Sequence, residues 1–118
     1  MIGRLEREVM DHGLDDIIQL EEIVSIARFD IGVEVGSELF MIVKNCLVFL
    51  LNEGLAIFGD LDDSKSPLTI EPWSGSGEAI AERVITEWKA LGREPKLNEI
   101  GWLELTRNGR TQAQEMLM

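Results

Sequence analysis

The amino-acid sequence predicts an α+β fold, mainly helical with a small antiparallel sheet, in a single domain over 1–118. Three observations carry this expectation. Apolar residues recur at helical spacing on both sides of Ser37 and again after Ser76. Short β-branched or alternating runs stand at Leu55 to Phe58 and at Ile100 to Thr106, and glycine or proline punctuates the joints. The chain has 118 residues, 45% hydrophobic and 28% charged, which is enough for one modest core.

Taken in order, Leu5, Val9 and the charges between them predict a short first helix, closed near Asp11-His12-Gly13 by a left-handed glycine cap. Asp15 or Asp16 can cap a second helix, with Ile17, Ile18, Leu20, Ile23, Val24, Ile26 and Ala27 as its apolar positions, running to about Arg28. Phe29 to Gly36 reads as a loop with room for a short extended piece. Ser37 is the expected N-cap of the most apolar segment, a central helix ended by Asn52-Glu53-Gly54. Its least apolar strip is Glu38, Met41, Asn45, Val48 and Asn52, with Lys44 near the edge. A DNA-reading face normally presents several Arg, Lys, Asn or Gln, so readout by this helix is not expected.

Leu55-Ala56-Ile57-Phe58 has the composition of a strand, turned by Gly59-Asp60, and Asp62 to Pro67 is a polar loop. Leu68-Thr69-Ile70 extends briefly before Glu71-Pro72, where helix is disfavoured. Trp73 lies in a loop ahead of the flexible joint Ser74-Gly75-Ser76-Gly77, where an indole caps a core edge or serves as a binding anchor. Ser76 caps a helix with Ile80, Val84, Ile85, Trp88 and Leu91 on one face, and Gly92 ends it. Arg93 to Asn98 is a loop, Ile100 to Thr106 a strand, Asn108-Gly109 a turn signal, and Thr111 to Leu117 a short helix or tail.

Two stretches resemble winged-helix domains: the apolar helix running into Leu50-Leu51-Asn52-Glu53-Gly54-Leu55-Ala56, and Trp102-Leu103-Glu104-Leu105-Thr106-Arg107-Asn108-Gly109-Arg110. The resemblance covers about half the chain. It implies that the first is the third helix entering the first wing strand, and that the second is the return strand, whose Leu-Thr-x-x-Gly leads into a final helix. A wing loop is usually short, whereas Gly59 to Asn98 inserts a helix between the wing strands, which counts against DNA binding by the wing. The segment Glu87 to Leu103 is also similar to a stretch in small bacterial proteins of unassigned activity. Some acidic proteins of this size are immunity partners of toxins, so the resemblance implies a toxin-neutralising role as one possibility.

The chemistry-bearing residues are few. His12 is the sole histidine, which removes Cys-His, Ser-His-Asp and multi-His metal sites, and beside Asp11 it is expected as a solvated side chain. Cys46 is the sole cysteine and, inside an apolar run, is expected as a buried thiol. Gly75 and Gly77 lack the Gly-Lys-Ser/Thr of a phosphate loop. From Asp60 a calcium loop would need glycine at its sixth position, where Lys65 stands; Glu71 does fall at the twelfth, but Pro67 stands at the eighth. Neither a catalytic role nor a metal or cofactor is expected.

Charge is the main remaining signal. Eleven Lys and Arg face 22 Asp and Glu, a net charge of -11. Of these, 14 acidic and 4 basic residues lie between Met1 and Asp63, so that half carries -10 of the total. Such a field repels nucleic acid and anionic lipid and speeds encounter with a basic protein. No apolar stretch reaches the roughly 20 residues a bilayer needs; the best, Leu47 to Leu51, is bounded by Asn45 and Asn52. The charged N-terminus lacks an export-type apolar region, so a cytoplasmic location is expected. The sequence therefore predicts an acidic protein-interaction module, most simply an immunity-type protein that binds a basic toxin domain. Its contacts are expected at Asp15, Asp16, Glu21, Glu22, Asp60, Asp62, Asp63 and Trp73. The alternative is a winged-helix DNA-binding regulator using Arg83, Lys89, Arg93, Lys96, Arg107 and Arg110 as one patch. Either a monomer or a weak homodimer through Met41 and Val48 fits the pattern.

Overall fold

The computed structural model describes residues 2–62, 64 and 67–117. Among them the chain forms α1 (Arg4–Gly13), β1 (Ile18–Gln19), α2 (Leu20–Ser25), a π-helical turn (Ile26–Asp30), α3 (Ser37–Asn52) and β2 (Ala56–Asp62). It continues with β3 (Thr69–Pro72), α4 (Gly77–Leu91), β4 (Trp102–Leu105) and α5 (Arg107–Met116). The fold is α+β, helical in the main, with one four-stranded sheet in the order β1-β4-β2-β3, antiparallel at every pairing. No helix among the described residues is long and apolar enough to cross a membrane.

β4 is the hub of the sheet. Its Leu103 pairs with Ile18 on one side and Phe58 on the other, and Trp102 sits between Gln19 and Gly59. The alternation expected of this strand is present: Leu103 and Leu105 are buried, while Trp102 and Glu104 are half-buried. Trp102 therefore belongs to the sheet surface more than to the interior.

Several expected boundaries move, each for a tertiary reason. The second helix begins at Leu20, because Ile18 and Gln19 are taken into the sheet by β4 and Leu20 N–H donates to the Gly101 carbonyl at 3.2 Å. Neither Asp15 nor Asp16 caps it; Asp16 Oδ1 instead accepts from Ile17 N–H at 2.7 Å. The helix then widens into the π turn, where Ile31 N–H reaches the Ile26 carbonyl. Gly13 is no left-handed cap. It ends α1 in the core, where a Cβ would stand 2.8 Å from Leu105 Cγ. Ser37 is the first helical residue of α3, and the cap position belongs to Gly36 at φ 146°, a conformation that favours glycine.

β2 does not turn at Gly59-Asp60 but runs on to Asp62, because β3 pairs with it from Gly59 opposite Pro72 to Asp62 opposite Thr69. Gly59 serves close approach, since a Cβ there would run into the Glu71 carbonyl. Pro72 is tolerated because β3 is the edge strand. Asn108-Gly109 is likewise no turn but the first turn of α5. Thr106 is its N-cap: the hydroxyl accepts from Gly109 N–H at 3.0 Å and donates to the Gly54 carbonyl at 2.6 Å.

α4 matches its expectation closely. Ser76 Oγ accepts from Ala79 N–H at 3.1 Å, and Gly92 closes the helix in the left-handed region at φ 70°. α4 lies on α3, with Trp88 tilted against Phe40 at a ring separation of 4.4 Å. Lys44 Nζ reaches across to Glu82 Oε2 at 2.6 Å. An exposed pair of this kind is screened by solvent and contributes little, whereas each buried Ile80, Val84 or Ile85 contributes about 1.5–3 kcal/mol, so apolar burial holds the two helices together. Cys46 is fully buried in α3, as expected, and burial pushes its thiol well above the ordinary range, with Glu6 adding to the effect.

A methyl group at Gly109 would collide with the Leu55 carbonyl, where backbone meets backbone and neither can yield cheaply. Gly109→Ala is expected to cost about 2 kcal/mol or more in urea unfolding, despite alanine's better helix propensity; an unchanged midpoint would contradict this packing.

Candidate functional site

The end of α1, the link into β1 and the start of α2 enclose a hollow of about 340 Å³ lined by Asp11, His12, Asp15, Asp16, Ile17 and Glu22. Asp11 comes from α1, Asp15 and Asp16 from the link and Glu22 from α2, so the carboxylates of successive segments line one space. His12 occupies the last turn of α1, and its Nδ1 lies 3.1 Å from Glu22 Oε2, both side chains half-exposed. Beyond the expected solvated side chain, His12 thus ties α1 to α2.

A second hollow of about 210 Å³ shares Asp16 and Ile17 with the first and continues over Gln19, Leu61, Leu68, Asn98 and Trp102. Together they make one trough, acidic at the α1 end and floored by apolar side chains at the sheet end. Leu68, nearly half-exposed, stands at its margin. The far wall is the loop between α4 and β4, held by Asn98 N–H on Gln19 Oε1 at 2.6 Å. That loop carries two non-glycine residues in the left-handed region, Asn98 at φ 66° and Ile100 at φ 70°. A bidentate clamp from Arg93 to Glu99, both contacts 2.8 Å, pins it.

The expected contact residues separate as follows. Asp15 and Asp16 are exposed and share the hollow with half-buried Glu22. Glu21 does not line the hollow, and its Oε1 accepts from Ser25 Oγ at 3.2 Å. Asp60 is exposed on β2 directly opposite Glu71, a like-charge pair that destabilises a sheet unless something cationic offsets it. Asp62 accepts from Ser64 N–H and Oγ, and the Leu61 between the two aspartates reaches the trough. Asp63 lies outside the described residues. Trp73 does not have the expected exposed-anchor geometry: it is buried, edge-on to Phe58 at 5.1 Å, with the Arg83 guanidinium 3.5 Å over its ring. The indole thus lies between Phe58 of β2 and Arg83 of α4.

Five of the cations among the described residues are engaged by carboxylates. Arg28 faces Glu94, Lys44 faces Glu82, Arg83 faces Glu87, Arg93 faces Glu99, and Arg110 approaches Glu104 at 3.7 Å. Sequence reasoning also missed a convergence that shares His12 with the acidic hollow. A ring nitrogen of His12 and carboxylate oxygens of Glu8 and Asp30 all lie within 4.8 Å of one another. Its visible signal was the spacing of Glu8 and His12, four residues apart on one helix; Asp30 joins them only through the π turn.

Comparison with protein-family models, with curated proteins and with solved structures finds no match. The arrangement itself offers charge complementarity: carboxylates around a hollow that accepts guanidinium or ammonium groups, beside an apolar floor that can take their stems.

Glu99 is held at about 2, against an ordinary 4.5, chiefly by its hydrogen bonds from Arg93 and from Lys96 N–H. Because the folded value is depressed, the clamp's contribution is complete above the ordinary carboxylate range and is lost as pH falls from about 4.5 toward 2. A carbon-detected NMR titration is expected to place the Glu99 midpoint near 2. Glu99→Gln should remove this part of the acid dependence of thermal stability.

Proposed function

We propose that this protein is an acidic interaction module of the immunity type, which binds and neutralises a basic toxin domain through the trough beside α1 and β1. The observation that carries the proposal is the convergence of Asp11, Asp15, Asp16 and Glu22 on one hollow in a chain of net charge -11. An anionic concavity of this kind accelerates encounter with a cationic cleft, and the adjoining Ile17, Leu61, Leu68 and Trp102 supply apolar area for a lasting contact. The like-charge pair Asp60 and Glu71 favours the same reading, since a basic partner would relieve it.

The frame is read as winged-helix-like. Supporting this are the order α1-β1-α2-α3-β2-β4-α5, with the short first strand paired to the return strand and β3 with α4 inserted between the wing strands. The frame is not used for DNA in this reading: α4 lies along α3, and Lys44, the one basic residue of α3, is engaged by Glu82.

Affinity capture from the native host, with the purified chain as bait and mass-spectrometric identification, is expected to return a basic protein. Asp15→Asn combined with Asp16→Asn keeps the acceptor for Ile17 N–H and should slow association with that protein about tenfold at low salt, at unchanged melting temperature. Genomic fragments in a gel shift should run free at both low and physiological salt; salt-sensitive retention would overturn this reading in favour of the DNA-binding regulator.

A further inference from the structure

We propose that Glu8, His12 and Asp30 bind a divalent transition-metal cation, with Glu22 holding the histidine in position. The site shares His12 and Glu22 with the acidic hollow, but the argument for it does not rest on the partner proposed above. Glu8 and His12 stand one helical turn apart on α1, the spacing that lets two side chains chelate one ion from the same face. The π turn delivers the third ligand from a different element, and the three ligand atoms already lie within 4.8 Å of one another. Around a tetrahedral zinc at about 2.0–2.1 Å, ligand atoms sit about 3.3 Å apart. The side chains therefore need to draw in by about an ångström or more, which torsion rotation allows, since Asp30 is exposed and Glu8 and His12 are half-buried.

The contact between His12 Nδ1 and Glu22 gives the histidine a direction. A carboxylate at Nδ1 keeps the proton on that nitrogen and leaves the Nε2 lone pair for an ion, the arrangement that metal-bound histidines recurrently use. The surrounding charge is favourable. Glu8, Asp30 and Glu22 carry three negative charges, with Asp11 nearby on α1, and the Arg4 guanidinium is turned to the Asp30 main-chain carbonyl at 3.2 Å rather than to a carboxylate. One imidazole with two carboxylates suits zinc or a similar borderline ion, whereas calcium asks for six to eight oxygens. A bound ion would join α1 to the turn after α2, so binding is linked to folding.

The test is calorimetric titration of the full chain with zinc chloride, paired with nitrogen-15 NMR of the single histidine. Saturable binding of one equivalent in the micromolar range is expected, with zinc on Nε2, a proton on Nδ1, and a raised melting temperature. His12→Ala should weaken binding at least a hundredfold, Asp30→Asn at least tenfold, and Glu22→Gln by 10–100-fold, while Glu115→Gln on α5 should leave it unchanged. Binding no tighter than millimolar, equal affinity in His12→Ala, or zinc on Nδ1 would each overturn the site. The NMR readout on the unsubstituted chain does not depend on whether any variant folds.

Discussion

The architecture turns on one constraint: α3 is apolar almost all the way round. Of its residues only Ser37, Glu38, Lys44, Asn45 and Asn52 are polar. A helix of that kind cannot lie on a sheet with its outer face in water; it needs cover on two sides. The sheet, α1 and the turn after α2 supply one, burying Leu39, Val43, Cys46, Leu47 and Leu50 with their neighbours. α4 supplies the other, through Trp88, Ile85 and their contacts with Phe40 and its neighbours. With α3 enclosed in this way, the carboxylates of Asp11, Asp15, Asp16 and Glu22 gather where the chain passes from α1 through β1 into α2.

What the sequence disclosed depended on whether a local signal was also the deciding one. α4 was legible because its cap, its apolar spacing and its left-handed glycine are all properties of its own residues, and each acts as local chemistry predicts. β4 was legible for a similar reason, its alternation surviving intact. The stretch from Asp15 to Arg28 was misread because Ile17 and Ile18 fit a helical pattern as well as an extended one, and the choice falls to a partner strand some eighty positions away. Glycines misled most. Gly13, Gly59 and Gly109 all carry the mark of a turn or cap, yet each is present because another part of the chain passes too close for a side chain, which no local pattern records.

The acidic face was legible in sum and not in detail. Counting charges places the excess in the first half of the chain, but not which carboxylates converge. Asp15, Asp16 and Glu22 do so, Glu21 does not, and Asp11 enters the hollow although its sequence neighbours gave no reason to single it out. Trp73 left two roles open, a cap on a core edge and a binding anchor; the structure takes the first, with the ring turned inward beneath Arg83 and against Phe58.

The pairing of Gly59 with Trp102 has a consequence for how such a molecule can change over generations. The chain departs from the β2–β4 ladder and comes back to it at adjacent points, so everything from Asp60 to Gly101 hangs from a single doorway. Connectivity alone would permit that passage to be lengthened, shortened or exchanged without rerouting the remainder. Greasiness forbids it, because the excursion contains the lid over α3, and a lineage that trimmed it would have to repaint the uncovered helix in the same stroke.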